Sequence, residues 1–252
     1  MTLDRRRTVV WLTAVLVVAA ACGDAQPGTT AAESEVTREG PIRLVDGEVL
    51  VSCGSRPQGW PASAMVDGIE PPEPASDITN ALSASPIEPR LRKEWKVLAA
   101  DDEEVTLALG AWGQDGPARD ATFMVLEPDA DGWRASTGGN CWNLAPVLDR
   151  DAIWVQVNAS AAVDGGATEV AVDVHETACT SARDPAPHLN EPVLVRTDDD
   201  VTVYWTSTPP DGAAECPGNP TSQQVLTLDE PLGDRPLLDG SRWPPVLIGQ
   251  DE

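Results

Sequence analysis

The chain has 252 residues and a formal net charge of −24, enough for one large domain or two small ones around a buried core. A 41% hydrophobic content argues against wholesale disorder, and the acidic balance argues against a nucleic-acid partner, whose phosphates would be repelled. Twenty-three prolines and 20 glycines favour turns and short strands over a helical bundle.

The first predicted element is an address. Arg5, Arg6 and Arg7 precede an apolar stretch from Val9 to Ala21, followed by Cys22 and Gly23. A basic start, a short apolar run and small residues at its end read as an export signal, too short to span a bilayer comfortably. Ala19-Ala20-Ala21-Cys22 resembles the lipobox of bacterial lipoproteins, departing from it at Ala19, where leucine is usual. That resemblance implies cleavage after Ala21 and a diacylglyceryl group, with two acyl chains such as palmitate, on the Cys22 thiol. At about 0.8 kcal/mol per buried methylene, such chains hold a protein on the outer face of the cytoplasmic membrane. The membrane is then its first partner. Fifteen arginines against two lysines, Lys93 and Lys96, with much Ala, Val, Asp and Pro, suit a GC-rich genome, most simply an actinobacterial one. A halophile is the other source of so acidic a surface.

Residues 22–40 are small, polar and charged and read as a flexible tether, with folded sequence from Ile42. Glu48–Ser52 is the first predicted strand. The five prolines between residues 54 and 76 predict an irregular surface loop, after which Asp77 would N-cap a short helix through Ile78, Ala81 and Leu82. Residues 90–98 fit a helix or a strand. Val105, Leu107 and Leu109 alternate with Glu104, Thr106 and Ala108, predicting a half-buried strand. Residues 122–127 and 133–136 flank the turn-forming Pro128–Gly132 and predict a hairpin. Beyond residue 152 the candidates are strands at 152–158, 169–176, 192–196, 201–207 and 224–228. The expected fold is mainly β, with disulfide-stabilised antiparallel sheets or a β-sandwich and one short helix in the N-terminal half. Residues 41–148 would form an α+β or β half and 149–252 a β-sandwich half; the sequence leaves open whether these are separate domains.

Apart from Cys22 there are four cysteines, Cys53, Cys141, Cys179 and Cys216. In an exported chain they read as two disulfides. Cys53–Cys141 and Cys179–Cys216 keep each bridge within one half. No C-x-x-C pair supports a zinc site. The second bridge is expected to hold down residues 217–245, read as a proline- and glycine-rich tail with few apolar residues of its own.

Few residues suggest chemistry. His175 alternates with Val170, Val172 and Val174, which predicts an exposed side chain, and His188 sits beside prolines in a loop. There is no G-x-S-x-G, phosphate loop or dinucleotide fingerprint. The acidic runs Asp101–Glu104 and Asp198–Asp200, and the pair Asp129 and Asp131, read as solvated turns, with a weak structural calcium site as the alternative. No metal, cofactor or catalytic residue is predicted. Nine tryptophans stand against one Phe and one Tyr. Periodicity places Trp95, Trp133, Trp154 and Trp205 in the core. Trp60 and Trp112, beside glycine or proline, are the candidates for a ligand-stacking surface.

Cys216, Gly218-Asn219-Pro220, Pro231-Leu232-Gly233-Asp234-Arg235, Asp239-Gly240 and Pro244-Pro245 resemble the C-terminal ends of actinobacterial secreted and lipidated proteins of uncharacterised role. The resemblance brings no activity with it. Arg235, four residues before Asp239, is read as its salt-bridge partner, with ligand binding as the weaker alternative. The expectation is a cell-surface lipoprotein with a non-catalytic binding, sensing or structural role and an unidentified envelope ligand or protein partner. The alternative is a secreted carbohydrate-active hydrolase using paired carboxylates.

Overall fold

The computed structural model describes residues 36–54, 59–114, 116–118, 121–130, 132–141, 144–148 and 151–249. The export signal, Cys22, Trp142 and most of the 22–40 tether lie outside the described residues. Those described belong to one compact unit, Ser34–Glu252.

The architecture is mainly β, in several largely antiparallel sheets, with a short helix in the N-terminal region. Folded structure starts earlier than the composition suggests. Val36–Glu39, within the expected tether, pairs with Ile42–Val45. Ile42–Val45 pairs with Glu48–Cys53, which in turn carries Leu144–Pro146 and the short Trp60–Pro61 strand. A second sheet runs in the order Gly132–Asn140, Thr122–Asp129, Val105–Leu109, Trp95–Ala100. The first two of these are the predicted hairpin, and the segment at 90–98 resolves as strand from Trp95.

Both faces of this second sheet are covered. Val97, Val105, Leu107, Leu109, Met124 and Leu126 pack against Ile78, Ala81 and Leu82 of the Ala75–Ala84 helix. Leu98 and Ala108 on the other face pack against Val51, Trp60, Ala64, Met65 and Leu144. The Val105–Leu109 strand is therefore buried at all five positions, not on one face. Proline density misleads over residues 54–76, because a short helix, Ala64–Asp67, places Ala64 and Met65 in the core. Pro74, not Asp77, occupies the N-cap position of the later helix, with no side-chain cap. Asp77 sits in its first turn instead, where a carboxylate faces the positive end of the helix. Gly132 closes the hairpin at φ +118, and a Cβ there would stand 2.8 Å from the Asp77 carboxylate, so only glycine fits.

Beyond residue 152, one sheet runs Thr206–Ser207, Ile153–Ala159, Glu169–Glu176, Ser222–Thr227. The other runs Val193–Arg196, Val201–Tyr204, Leu237–Asp239, Val246–Leu247, and its central pair is parallel. Val155, Val157, Val170, Val172, Val174 and Leu226 of the first enclose a core with Val201, Val203, Leu237 and Ile248. Every sheet draws its strands from one side of residues 149–150. Cys53 is joined to Cys141 and Cys179 to Cys216. The second bridge does not anchor a loose tail, because Leu226, Leu228, Leu232 and Leu237 are themselves core residues.

Candidate functional site

The expected surface tryptophans are inside. Trp60 and Trp112 are 2% and 7% exposed, packed edge to face with ring centroids 6.1 Å apart. Both belong to the cluster behind the Cys53–Cys141 bridge, and neither offers an indole face to a ligand. Their glycine and proline neighbours let the backbone turn without exposing the rings. Arg235 does not reach Asp239. Its guanidinium donates to the carbonyls of Leu232 and Pro231 and to Glu230 Oε1 at 2.9 Å, closing its own loop.

The acidic runs are likewise turns. Asp101 Oδ1 accepts the backbone N–H groups of Glu103 and Glu104, and Thr197 Oγ1 accepts those of Asp199 and Asp200. Among the described residues no group of three or more His, Cys, Asp or Glu is placed to hold a metal ion. His188 ends the 3-10 turn Ala186–His188.

The site that the structure presents is a cavity of about 750 Å³ between the Leu144–Leu148 segment and the outer face of the Ile153–Ala159 and Glu169–Glu176 strands. Strand alternation builds it. Val155, Val157, Val172 and Val174 point into the sandwich, so Trp154, Gln156 and His175 point the other way, and Gln156 pairs directly with His175 across the ladder. The alternation thus put His175 on the correct face. What it could not show is that another segment covers that face. Trp154 Nε1 donates to the Pro146 carbonyl at 2.8 Å, and the Trp243 N–H donates to that of Leu144 at 2.8 Å. These bonds hold the covering segment in place. His175 is consequently half-buried, and burial, with the Arg242 charge second, holds its imidazole below its ordinary range.

Arg242 and Ser241 reach the cavity from the turn after Leu237–Asp239. Gly240 lets this turn pass against the Tyr204 ring, where any Cβ would collide. Asp239, only 1% exposed, accepts the N–H and hydroxyl of Ser241 at 3.0 and 2.9 Å and the Val157 N–H. Burial pushes its carboxyl up to about 6, partly offset by those hydrogen bonds and by Arg242.

Glu176, also in the wall, is committed elsewhere. Burial alone would raise its carboxyl, but hydrogen bonds from Arg183 and Ser207, with the Arg183 charge, outweigh that and hold it below the usual range. Asn219 of the Gly-Asn-Pro turn accepts the Thr180 hydroxyl at 2.7 Å and donates to the Glu176 and Ala178 carbonyls. It thereby fixes the exposed Cys179–Cys216 bridge at the cavity wall. Sequence reasoning missed Arg242 and Gln156 and gave Asp239 the wrong partner. Gln156 carried a signal, its polar phase in the predicted strand at 152–158, whereas Arg242 lies in a turn with no periodicity to mark it. No family model matches the chain, and no match is found among curated proteins or solved structures.

Proposed function

We propose that the chain is an actinobacterial-type lipoprotein, anchored through Cys22 on the outer face of the cytoplasmic membrane, that binds a small molecule without transforming it. The cavity carries this reading: about 750 Å³ lies within the range of small-molecule sites, with a mostly apolar wall and a few polar groups. Glu176, in the wall, and Asp239, two residues before the wall residue Ser241, have their carboxylates engaged by Arg183, Ser207, Ser241 and the Val157 N–H. They lend no support to the hydrolase alternative.

Two measurements test the proposal. Cys22→Ala should move the protein from the membrane fraction to the soluble one; a variant still bound after a high-salt wash refutes the lipid anchor. Native mass spectrometry of the protein extracted from its own membranes should show a bound small molecule. That molecule should be lost in Gln156→Trp, which places an indole in the cavity. Unchanged retention in Gln156→Trp puts the binding site elsewhere.

A further inference from the structure

Sheet edges present unpaired backbone N–H and C=O groups, and proteins guard them with charge, proline, bulges or shortness. Most edges here are guarded in this way. Val36–Glu39 carries Arg38, Gly132–Asn140 carries Arg134 and a bulge, and Trp95–Ala100 carries Lys96 and a bulge. Leu144–Pro146, Thr206–Ser207 and Val246–Leu247 are only two or three residues long, and Val193–Arg196 is four long and ends in Arg196. Ser222–Thr227 is the exception among the described residues. It is the outer strand of its sheet, six residues in unbroken register with Glu169–Glu176, without charge, proline, glycine or bulge. The Leu228 N–H donates to the Thr168 carbonyl, one step beyond that ladder, which sets its phase. Ser222, Gln224 and Leu226 therefore turn their backbone groups to Glu169–Glu176, and those of Gln223, Val225 and Thr227 point away from it. These three residues are exposed, Val225 at 60%, and their outward groups have no hydrogen-bond partner among the described residues.

We infer that Ser222–Thr227 docks antiparallel against the same strand of a second copy of this chain, across a two-fold axis at Val225. This axis alone maps the three outward residues onto themselves: Val225 faces its counterpart, and Gln223 faces Thr227. An axis at Thr227 would set Gln223 against Pro231, and one at Gln223 would set Thr227 beyond Pro220; these prolines bound the segment on either side. The axis at Val225 also sets Asp229 against Thr221 and Glu230 against Pro220, so neither acid meets an acid. Asp229 already lies 3.1 Å from Arg196, and Glu230 lies 2.9 Å from Arg235. On the exposed face, Val225 and Ala171 of both copies form one apolar row. Asp173 and Glu169 of the second copy end the neighbouring row three strand spacings apart, about 14 Å, beyond the Debye length of about 8 Å at physiological salt. Six residues make a short seam beside the roughly 1,200 Å² of a stable interface, so the pairing is weak and is favoured where copies are concentrated in one plane. It is independent of whether the cleft binds a ligand.

Single cysteines test the register in the full-length protein, in the membranes or fluid where it fractionates, oxidised with copper phenanthroline under air. Directly opposed residues have Cα atoms about 5.5 Å apart, within disulfide reach. Val225→Cys alone should give a bridged dimer. Gln223→Cys alone and Thr227→Cys alone should each give about tenfold less, whereas the two coexpressed should bridge to each other. Adding Val225→Lys to both coexpressed variants should cut that yield about tenfold, and exchanging one of the two for Val225→Glu should restore it. All three sites are exposed, and thermal melts check that each variant is folded. A folded Val225→Cys that stays monomeric overturns the pairing. Equal yields from the three single variants mean unregistered collision and overturn it too. A bridge from Val225→Cys to a different protein gives the edge to a foreign strand and overturns the second copy as its partner.

Discussion

Asp239 shows how one buried carboxyl couples stability to pH. Its folded-state carboxyl titrates at about 6, against an ordinary value of 3.8, chiefly because burial disfavours the charge. Between these values the folded protein holds a proton that the unfolded chain has released. The contribution of this residue is therefore complete below pH 4 and declines as pH rises to 6, by about 3 kcal/mol at most. Glu176, with its carboxyl held low, acts in the opposite sense: its contribution is present at neutral pH and lost on acidification. The comparison of wild type with Asp239→Asn isolates the first effect. The stability difference between them, from denaturant melts at pH 4, 5, 6 and 7, should shift in favour of the variant as pH rises. A constant difference across that range would show that Asp239 stays charged in the folded state. Trp60 and Trp112 are a second contrast at this scale. The Trp112 indole N–H donates to the Leu109 carbonyl at 3.2 Å, whereas Trp60 Nε1 is buried without a hydrogen-bond partner among the described residues. Trp112→Phe should therefore cost about 1 kcal/mol more than Trp60→Phe, because only it removes a buried hydrogen bond. Equal losses on thermal melts would refute this.

The two disulfides constrain different elements and differ in access. Cys53 and Cys141 are 7% and 2% exposed, while Cys179 and Cys216 are both at the surface. Dithiothreitol without denaturant should reduce the Cys179–Cys216 bridge first, giving two alkylatable thiols at those positions by peptide mapping. Labelling of Cys53 before Cys179 would contradict this order. In the chain-entropy model, closing the 37-residue separation contributes about 4 kcal/mol. Cys216→Ser should loosen residues 209–221, where Ser181 pairs with Glu215 and Asn219 bonds to Glu176 and Ala178. Hydrogen exchange should remain slow in Ser222–Thr227 and Leu237–Asp239, because those strands sit in ladders whose leucines fill the core. Fast exchange reaching Leu237–Asp239 would mean that the bridge, not the core, holds the C-terminal strands.

At the scale of the whole molecule, 41 acids against 17 bases produce a self-repulsion that salt screens. The melting temperature should rise by a few degrees, about 2–5 °C, between roughly 0.02 and 0.5 M NaCl. A flat or falling value would mean that the acids are locally neutralised. Strands were legible where apolar and polar residues alternate, as in Ile153–Ala159 and Glu169–Glu176, because a period of two is written directly into the residue types. Alternation also assigned His175 to the face opposite the valines. It failed where both faces are covered, as at Ala108, and where small or proline-rich sequence is drawn into a core, as at Ala64 and Met65. Turn-rich composition and alternation together determined the mainly β class, and half-by-half economy was enough to pair the cysteines, since these depend on local pattern and loop length. The cleft was decided by tertiary structure alone. Arg242 and His175 lie 67 positions apart, and only the packing of Leu144–Leu148 over the polar face of the Ile153–Ala159 and Glu169–Glu176 strands turns that face into a wall. Whether a side chain meets water or another segment depends on contacts between residues remote in the chain, which no local pattern encodes.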